Sequence, residues 1–261
     1  MKLEVLTAQP KQSQHTTPLL FVHGAWHGAW CWENFLPYFA EHGYEAHALS
    51  LRGHGNSEGR EGIRWYSAAR DYVEDVTKVV GGLKAPPILI GHSMGGYVVQ
   101  KYLETHNVPV GVLLASIPIS GTYGLLWRFM KRQPGMMLKA FVGRDAGNVI
   151  NSPAMLKETC FSSDFSDEEI ARLFPYIQSE SIRVSLDTML NLPKPQKVGT
   201  PLLVLGAEND RVFSVAEVHA TAHAYRTQAH IFPDMAHDMM LEKNWQHVAD
   251  KILAWLKVRG L

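Results

Sequence analysis

The run Gly91-His92-Ser93-Met94-Gly95-Gly96 limits what this chain can fold into more than any other stretch. It follows apolar Pro87-Ile88-Leu89-Ile90 and precedes the helix-like Tyr97-Val98-Val99-Gln100-Lys101-Tyr102-Leu103. Strand, then Gly-x-Ser-x-Gly, then helix requires a sharp turn with the serine strained at its apex. A side chain at Gly91 or Gly95 would crowd the backbones of the adjoining strand and helix. Ser93 would then stand clear of its neighbours, beyond the carboxyl end of a strand and at a helix N-terminus, where negative charge is stabilised. A plainer alternative for the same residues is a glycine-rich turn whose serine caps the helix.

The surroundings of this turn repeat its rhythm. Leu19-Leu20-Phe21-Val22 reads as a buried strand, because four apolar residues run without alternation. A helical pattern through Trp30, Phe35, Leu36 and Phe39 stops at Gly43, and Tyr44 to Leu51 reads as the next strand. A helix from about Ser67 to Val80 closes at Gly81-Gly82, and a strand follows the serine turn at Val110 to Ala115. The pattern resumes with a strand at Leu202–Leu205, a helix near Ser214–Tyr225, a strand at His230–Phe232 and a last amphipathic helix through Trp245, Val248, Ile252 and Leu256. Alternating apolar strands and helices predict an α/β fold with a mostly parallel sheet covered on both faces. From Ile117 to Pro195 strand signals vanish, and the stretch is too long for a loop. We therefore expect a core built from residues 1–116 and 196–261 with a helical cap inserted at 117–195.

Composition excludes several classes. At 261 residues with 46% apolar content, the chain can bury a large core. Lys+Arg and Asp+Glu balance at 25 each, which gives no electrostatic argument for nucleic acid. No segment reaches the roughly 18 apolar residues that span a bilayer, and the N-terminus does not read as a signal peptide, so a cytoplasmic location is expected. Oligomeric state is left open. Cys31 and Cys160 lie far apart with no metal-like spacing and are expected to be inert thiols. His23 and His27 are four apart but show no carboxylate nearby in sequence, so no metal is expected; no dinucleotide fingerprint appears either, so no cofactor is.

A serine nucleophile needs a base and a group that orients the base, and reactive groups in such sheets gather beyond the carboxyl ends of strands. After Leu205 comes Gly206-Ala207-Glu208-Asn209-Asp210, and after Phe232 comes Pro233-Asp234-Met235-Ala236-His237. Asp210 is the preferred acid, with Glu208 and Asp234 as competitors. Of 13 histidines only His237 falls in a loop just past a late strand. Donors for an oxyanion are expected at the backbone N–H of Met94 and of Ala25, with Trp26 second. Gly24 would let backbone approach a ligand. Trp26 and Trp30 would otherwise pack the following helix. In the cap, Trp127, Phe129, Met130, Met136 and Met137 could line an acyl pocket or form the cap's own core. Trp127 and Met130 are taken with Gly24 and Trp26 as candidate substrate contacts. Arg128, Lys131 and Arg132 read as a solvated helix face, or as a contact to lipid.

These residues resemble the α/β-hydrolase superfamily, in particular its serine esterase and lipase-like members with a helical cap. The resemblance covers nearly the whole chain. Phe21-Val22-His23-Gly24-Ala25-Trp26-His27-Gly28-Ala29-Trp30 is similar to the oxyanion segment of plant methyl-ester esterases and hydroxynitrile lyases, and the Gly91–Gly96 run is similar to monoacylglycerol lipases and bacterial carboxylesterases. One departure is Ser50, where the family often has Asp two residues before the loop arginine, Arg52; this questions how that loop is tethered. The resemblance implies hydrolysis of carboxylic esters of small to medium acyl chain through an acyl-enzyme, with a small-molecule partner. Serine at the elbow argues against dehalogenase and epoxide hydrolase chemistry, and Gly24, where hydroxynitrile lyases carry a bulkier residue, favours hydrolysis. Lactonase, thioesterase or carbon–carbon hydrolase activity on the same triad, or ligand binding without turnover, are the alternatives.

Overall fold

The computed structural model describes residues 1–132 and 150–261. Seven strands form one sheet: β1 (Val5–Ala8), β2 (Leu19–Val22), β3 (Ala46–Leu49), β4 (Ile88–His92), β5 (Gly111–Leu114), β6 (Leu202–Ala207) and β7 (Ala229–Phe232), in the order β1-β3-β2-β4-β5-β6-β7. Every pairing is parallel except β1 with β3. The chain is therefore an α/β protein with a mostly parallel sheet, as the sequence predicts. β1 was not foreseen. It is an exposed edge strand, so the hydrophobic pattern that marks the central strands is missing from it.

The helices are α1 (Phe35–Glu41), α2 (Val73–Gly81), α3 (Met94–Leu103), α4 (Tyr123–Arg132), α5 (Pro153–Cys160), α6 (Asp167–Leu173), α7 (Ile182–Leu190), α8 (Val215–Ala224) and α9 (Trp245–Lys257). Alternate residues of each central strand enter opposite cores. Phe21, Ile88, Ile90, Val112, Leu114, Leu203 and Leu205 pack with Trp32, Phe35 and Phe39 and with Val248, Ile252 and Leu256 of α9. Leu20, Val22, Leu89, Leu113 and Val204 pack with Val76 of α2, Tyr97 and Val98 of α3 and Val218 of α8. Burial on both faces explains the unbroken apolar runs.

Two predicted helices are not uniform. The segment after the β2 loop breaks into a 3-10 turn (Ala29–Trp32) and α1. The helix expected from Ser67 opens with a π-helical turn (Ala68–Tyr72), where the Asp71 carboxylate accepts from Ser67 N–H at 2.7 Å. Between β5 and β6 the described residues are helical, without a strand. Met136, Met137 and Phe141 lie outside the described residues. Among the described residues no helix is long and apolar enough to cross a membrane.

The strand register sets the chemistry side by side. Val22 pairs with Gly91, His92 with Leu114, and Ala207 with Phe232. The loops leaving β2, β4, β6 and β7 therefore emerge along one rim.

Candidate active site

Ser93 sits at φ +50°, ψ −116°, a left-handed backbone that side chains disfavour. The turn holds because Ser93 N–H donates to Leu114 O at 3.0 Å, and Ser93 O accepts from Tyr97 and Ile117 N–H. A Cβ on Gly91 would fall 2.5 Å from Gly95 O and 2.7 Å from Gly96 Cα, both backbone atoms with nowhere to move. The Ser93 side chain makes no capping bond to α3, so the plainer turn-and-cap alternative does not describe it.

Instead Ser93 Oγ lies 3.0 Å from His237 Nε2, and His237 Nδ1 lies 2.9 Å from Asp210 Oδ2. A carboxylate only accepts, so Nδ1 carries the proton and Nε2 is left to accept from the serine hydroxyl. Asp210 Oδ1 is fixed by Val212 and Phe213 N–H at 2.7 and 3.0 Å. Of the three acids weighed from sequence, the fold brings Asp210 to the imidazole. Glu208 and Asp234 stay exposed. Glu208 N–H to Phe232 O and Asn209 N–H to Met235 O staple the acid loop to the histidine loop, both at 2.9 Å. Burial works against charge on His237, but the Asp210 carboxylate, its hydrogen bond and nearby Asp238 raise the pKa above its ordinary value.

The loop after β2, which carries the candidate oxyanion donor Ala25, is held by its own histidines. His23 Nε2 accepts from Leu51 N–H at 3.0 Å, so Nδ1 carries the proton and donates to Gly24 O at 2.8 Å. Burial, then neighbouring His54, keep His23 well below the usual histidine range and thus neutral. Gly24 O and Ala25 N–H belong to one trans peptide and point in opposite directions. Pinning that carbonyl therefore aims the Ala25 N–H. Among the described residues neither Ala25 N–H nor Met94 N–H is engaged in a hydrogen bond. Gly24 closes on the elbow: a Cβ there would meet His92 Nδ1 at 2.8 Å and Ser93 Cβ at 3.0 Å. Trp26 takes φ +66°, and its carbonyl accepts from Gln178 N–H at 2.9 Å, tying the segment to the chain between β5 and β6.

The other expectations fare unevenly. Trp127 and Met130 are 56% and 42% exposed, and no hydrogen bond or ring contact of the described residues joins either to Ser93 or His237. The amphipathic turn of α4 leaves Trp127 facing solvent with Lys131 Nζ 4.9 Å over its ring. Arg128 is not part of a solvated basic face; it pairs with Glu217 at 2.9 Å and donates to Val212 O. Arg52 is tethered despite Ser50, by Asp75 of α2 at 2.7 Å and by Glu74 at 2.8 Å. Ser50 meanwhile accepts from Ala29 N–H and donates to Glu4.

Sequence reasoning missed Asp238. His27 does meet a carboxylate: its Nε2 is 3.0 Å from Asp238 Oδ2, across 211 positions of sequence. His92 Nε2 donates to His237 O at 3.0 Å, and burial, with His237 beside it, pushes His92 down to about 3. Donor atoms of His92, His237 and Asp238 lie within 4.8 Å of one another, yet His92 Nε2 and both His237 nitrogens are already in hydrogen bonds. A metal would have to dismantle the serine–imidazole–carboxylate line.

A family model described as "Alpha/beta hydrolase family" matches residues 19–250. The chain belongs to the alpha/beta hydrolase family. Its likeness to individual family members is partial in sequence and nearly complete in fold. Norfluorocurarine synthase 1 of Strychnos nux-vomica is 30% identical over 113 residues, 41% of this chain and 40% of that protein. Methylesterase 1 of Arabidopsis thaliana is 31% identical over 109 residues, 40% of each. The alignments thus span about two-fifths of the length of these relatives. A thermophilic esterase from Thermogutta terrifontis superposes with a TM-score of 0.76 at 18% identity, covering 98% of this chain and 93% of its own. Alpha/beta hydrolase members thus share this backbone at low identity, and the chemistry has to be read from the site.

Proposed function

We propose that this alpha/beta hydrolase is a serine hydrolase that cleaves carboxylic esters of small to medium acyl chain. Ser93, His237 and Asp210 would be its catalytic triad, and Ala25 and Met94 N–H its oxyanion donors. The observation that carries this reading is the continuous line Ser93 Oγ–His237 Nε2, His237 Nδ1–Asp210 Oδ2 at 3.0 and 2.9 Å, mounted on a strained elbow. Similarity to methylesterase 1 supports an ester as the substrate class.

In this reading His237 takes the hydroxyl proton as Ser93 Oγ attacks the ester carbonyl. The carbonyl oxygen gains charge and is met by the two N–H groups, which need no reorganisation. The His237 cation, stabilised by Asp210, returns the proton to the leaving alcohol. Water then attacks the acyl-enzyme, with His237 again as base. Residues 117–195 would cap the site over a core of 1–116 and 196–261. Gly24 and Trp26 would contact the substrate beside the elbow. Cys31 and Cys160, both free and buried, suit a reducing compartment such as the cytoplasm.

Turnover of p-nitrophenyl esters from acetate to palmitate tests this. The wild type should prefer short to medium acyl chains. Ser93→Ala should lose at least ~10⁴-fold in kcat. Undiminished turnover in Ser93→Ala would remove Ser93 from the mechanism.

A further inference from the structure

His27 presents a proton-counting problem that its surroundings resolve. Its Nδ1 is 2.7 Å from the Ala25 carbonyl oxygen, and its Nε2 is 3.0 Å from Asp238 Oδ2. A carbonyl oxygen only accepts, and so does the Asp238 carboxylate, which is held ionised. A neutral imidazole has one N–H and would leave one of these contacts as lone pair against lone pair. Both nitrogens therefore carry protons, and His27 is a cation inside the protein, 3% exposed against a fully buried Asp238. Burial opposes this charge, but Asp238 outweighs it and the pKa of His27 is raised. Asp238 in turn is carried down to about 2 by His27 against its own burial.

The placement gives the pair a task. Ala25 O belongs to the peptide that follows the Ala25 N–H, and the next residue, Trp26, is in the left-handed region. His23 pins the peptide before Ala25 and His27 pins the one after it. Asp238 directly follows His237. One ion pair thus joins the strand-β2 loop, which carries an oxyanion donor, to the strand-β7 loop, which carries the base. The titratable groups facing His27 are Asp238, His237, His23 and His92, of which His23 and His92 are held neutral by burial, and the Trp30 ring stacks on it at 5.2 Å. The Cys31 and Cys160 thiols near Asp238 are pushed up by burial and stay neutral.

We propose that His27, doubly protonated and paired with Asp238, is a positioning residue that fixes the Ala25–Trp26 peptide and locks the oxyanion loop to the loop of the catalytic histidine. This rests on the serine hydrolase reading above. The role is electrostatic as well as steric, because only the cation can satisfy both acceptors.

Nitrogen-15 NMR of histidine-labelled wild type should show both His27 ring nitrogens protonated at about pH 8, well above the ordinary histidine range near ~6.5. The signal is assigned by its loss in His27→Gln. That variant, whose amide can serve one acceptor, should lower kcat by about 10–100-fold, less than full removal of an oxyanion donor, with KM within about twofold. Asp238→Asn leaves burial unopposed, so the His27 pKa should fall and kcat should show an alkaline decline that begins at lower pH than in the wild type, which a merely structural loss would not produce. A single ring proton on wild-type His27 at that pH, or wild-type kcat in His27→Gln, overturns the proposal. Should the wild type turn over no ester, the rate of Ser93 labelling by a fluorophosphonate, which places charge in the same oxygen pocket, replaces kcat. Labelling slowed in His27→Gln supports the positioning role apart from the ester assignment, and unslowed labelling overturns it. Absence of both turnover and labelling in the wild type overturns the hydrolase reading and the proposal together.

Discussion

The turn at Ser93 stores strain, and a pair of variants at that position measures it. Ser93 is held at φ +50°, ψ −116°, the mirror image of an ordinary extended backbone. Glycine, lacking a Cβ, adopts that mirror region without penalty, whereas alanine there keeps the clash that serine has. Ser93→Ala and Ser93→Gly both delete the hydroxyl and its bond to His237, so that loss cancels between them. What remains is relief of strain, about 1–3 kcal/mol, less the extra chain entropy of an unfolded glycine, about 0.4–1 kcal/mol. Ser93→Gly should therefore be more stable than Ser93→Ala by roughly 1–2 kcal/mol, a melting difference of about 2–4 °C for a domain of this size. Denaturant unfolding at fixed temperature, cross-checked by calorimetry, reads the difference. The usual ranking of alanine above glycine is reversed here only if the backbone holds the residue in place. Equal stability, or alanine above glycine, would refute the claim that the fold imposes this geometry at an energetic cost.

Three further outcomes follow from the same contacts. If His237 is the base of the proposed triad it works when neutral, and with its pKa raised the acid limb of kcat/KM should lie above the ordinary histidine value; in Asp210→Asn the residual activity should show that limb shifted to lower pH. Asp238 is depressed from 3.8 to about 2, so it contributes about 2 kcal/mol that is present above pH ~4 and is lost as pH falls toward 2; acid titration of stability should show wild type and Asp238→Asn converging across that window. Gly91→Ala drives a Cβ into Gly95 O and Gly96 Cα, which should cost about 3 kcal/mol and appear as a lowered urea midpoint.

What could be read from the sequence follows from how local each signal is. Unbroken apolar runs announced β2, β4, β5 and β6 because both faces of those strands are buried. Asp210 lies a few residues past β6 and His237 a few past the half-buried β7, so both were readable as candidates, and the register of β6 with β7 brings their loops side by side. β1 was not legible, because it pairs along one edge and shows its side chains to water. The π-helical start before α2 is set by one carboxylate folding back on Ser67, which leaves no mark in periodicity. Nor could spacing reveal that His27 meets Asp238, or that Asp75 holds Arg52 in place of the expected loop acid, since both depend on tertiary approach.

The described residues between β5 and β6 are tied to the rim at several points. Cys160 O at the end of α5 receives Asp238 N–H at 2.9 Å, and Ser162 donates N–H and hydroxyl to Glu242. Gln178 reaches Trp26 O and Gly55 N–H, and buried Glu180 accepts from Tyr72. These described residues thus buttress the loops that carry Trp26 and His237. Grafting the corresponding stretch from another protein, the obvious route to a new substrate range, would also loosen the supports of the imidazole and of the donor loop. A successful transplant would have to bring these anchoring points with it.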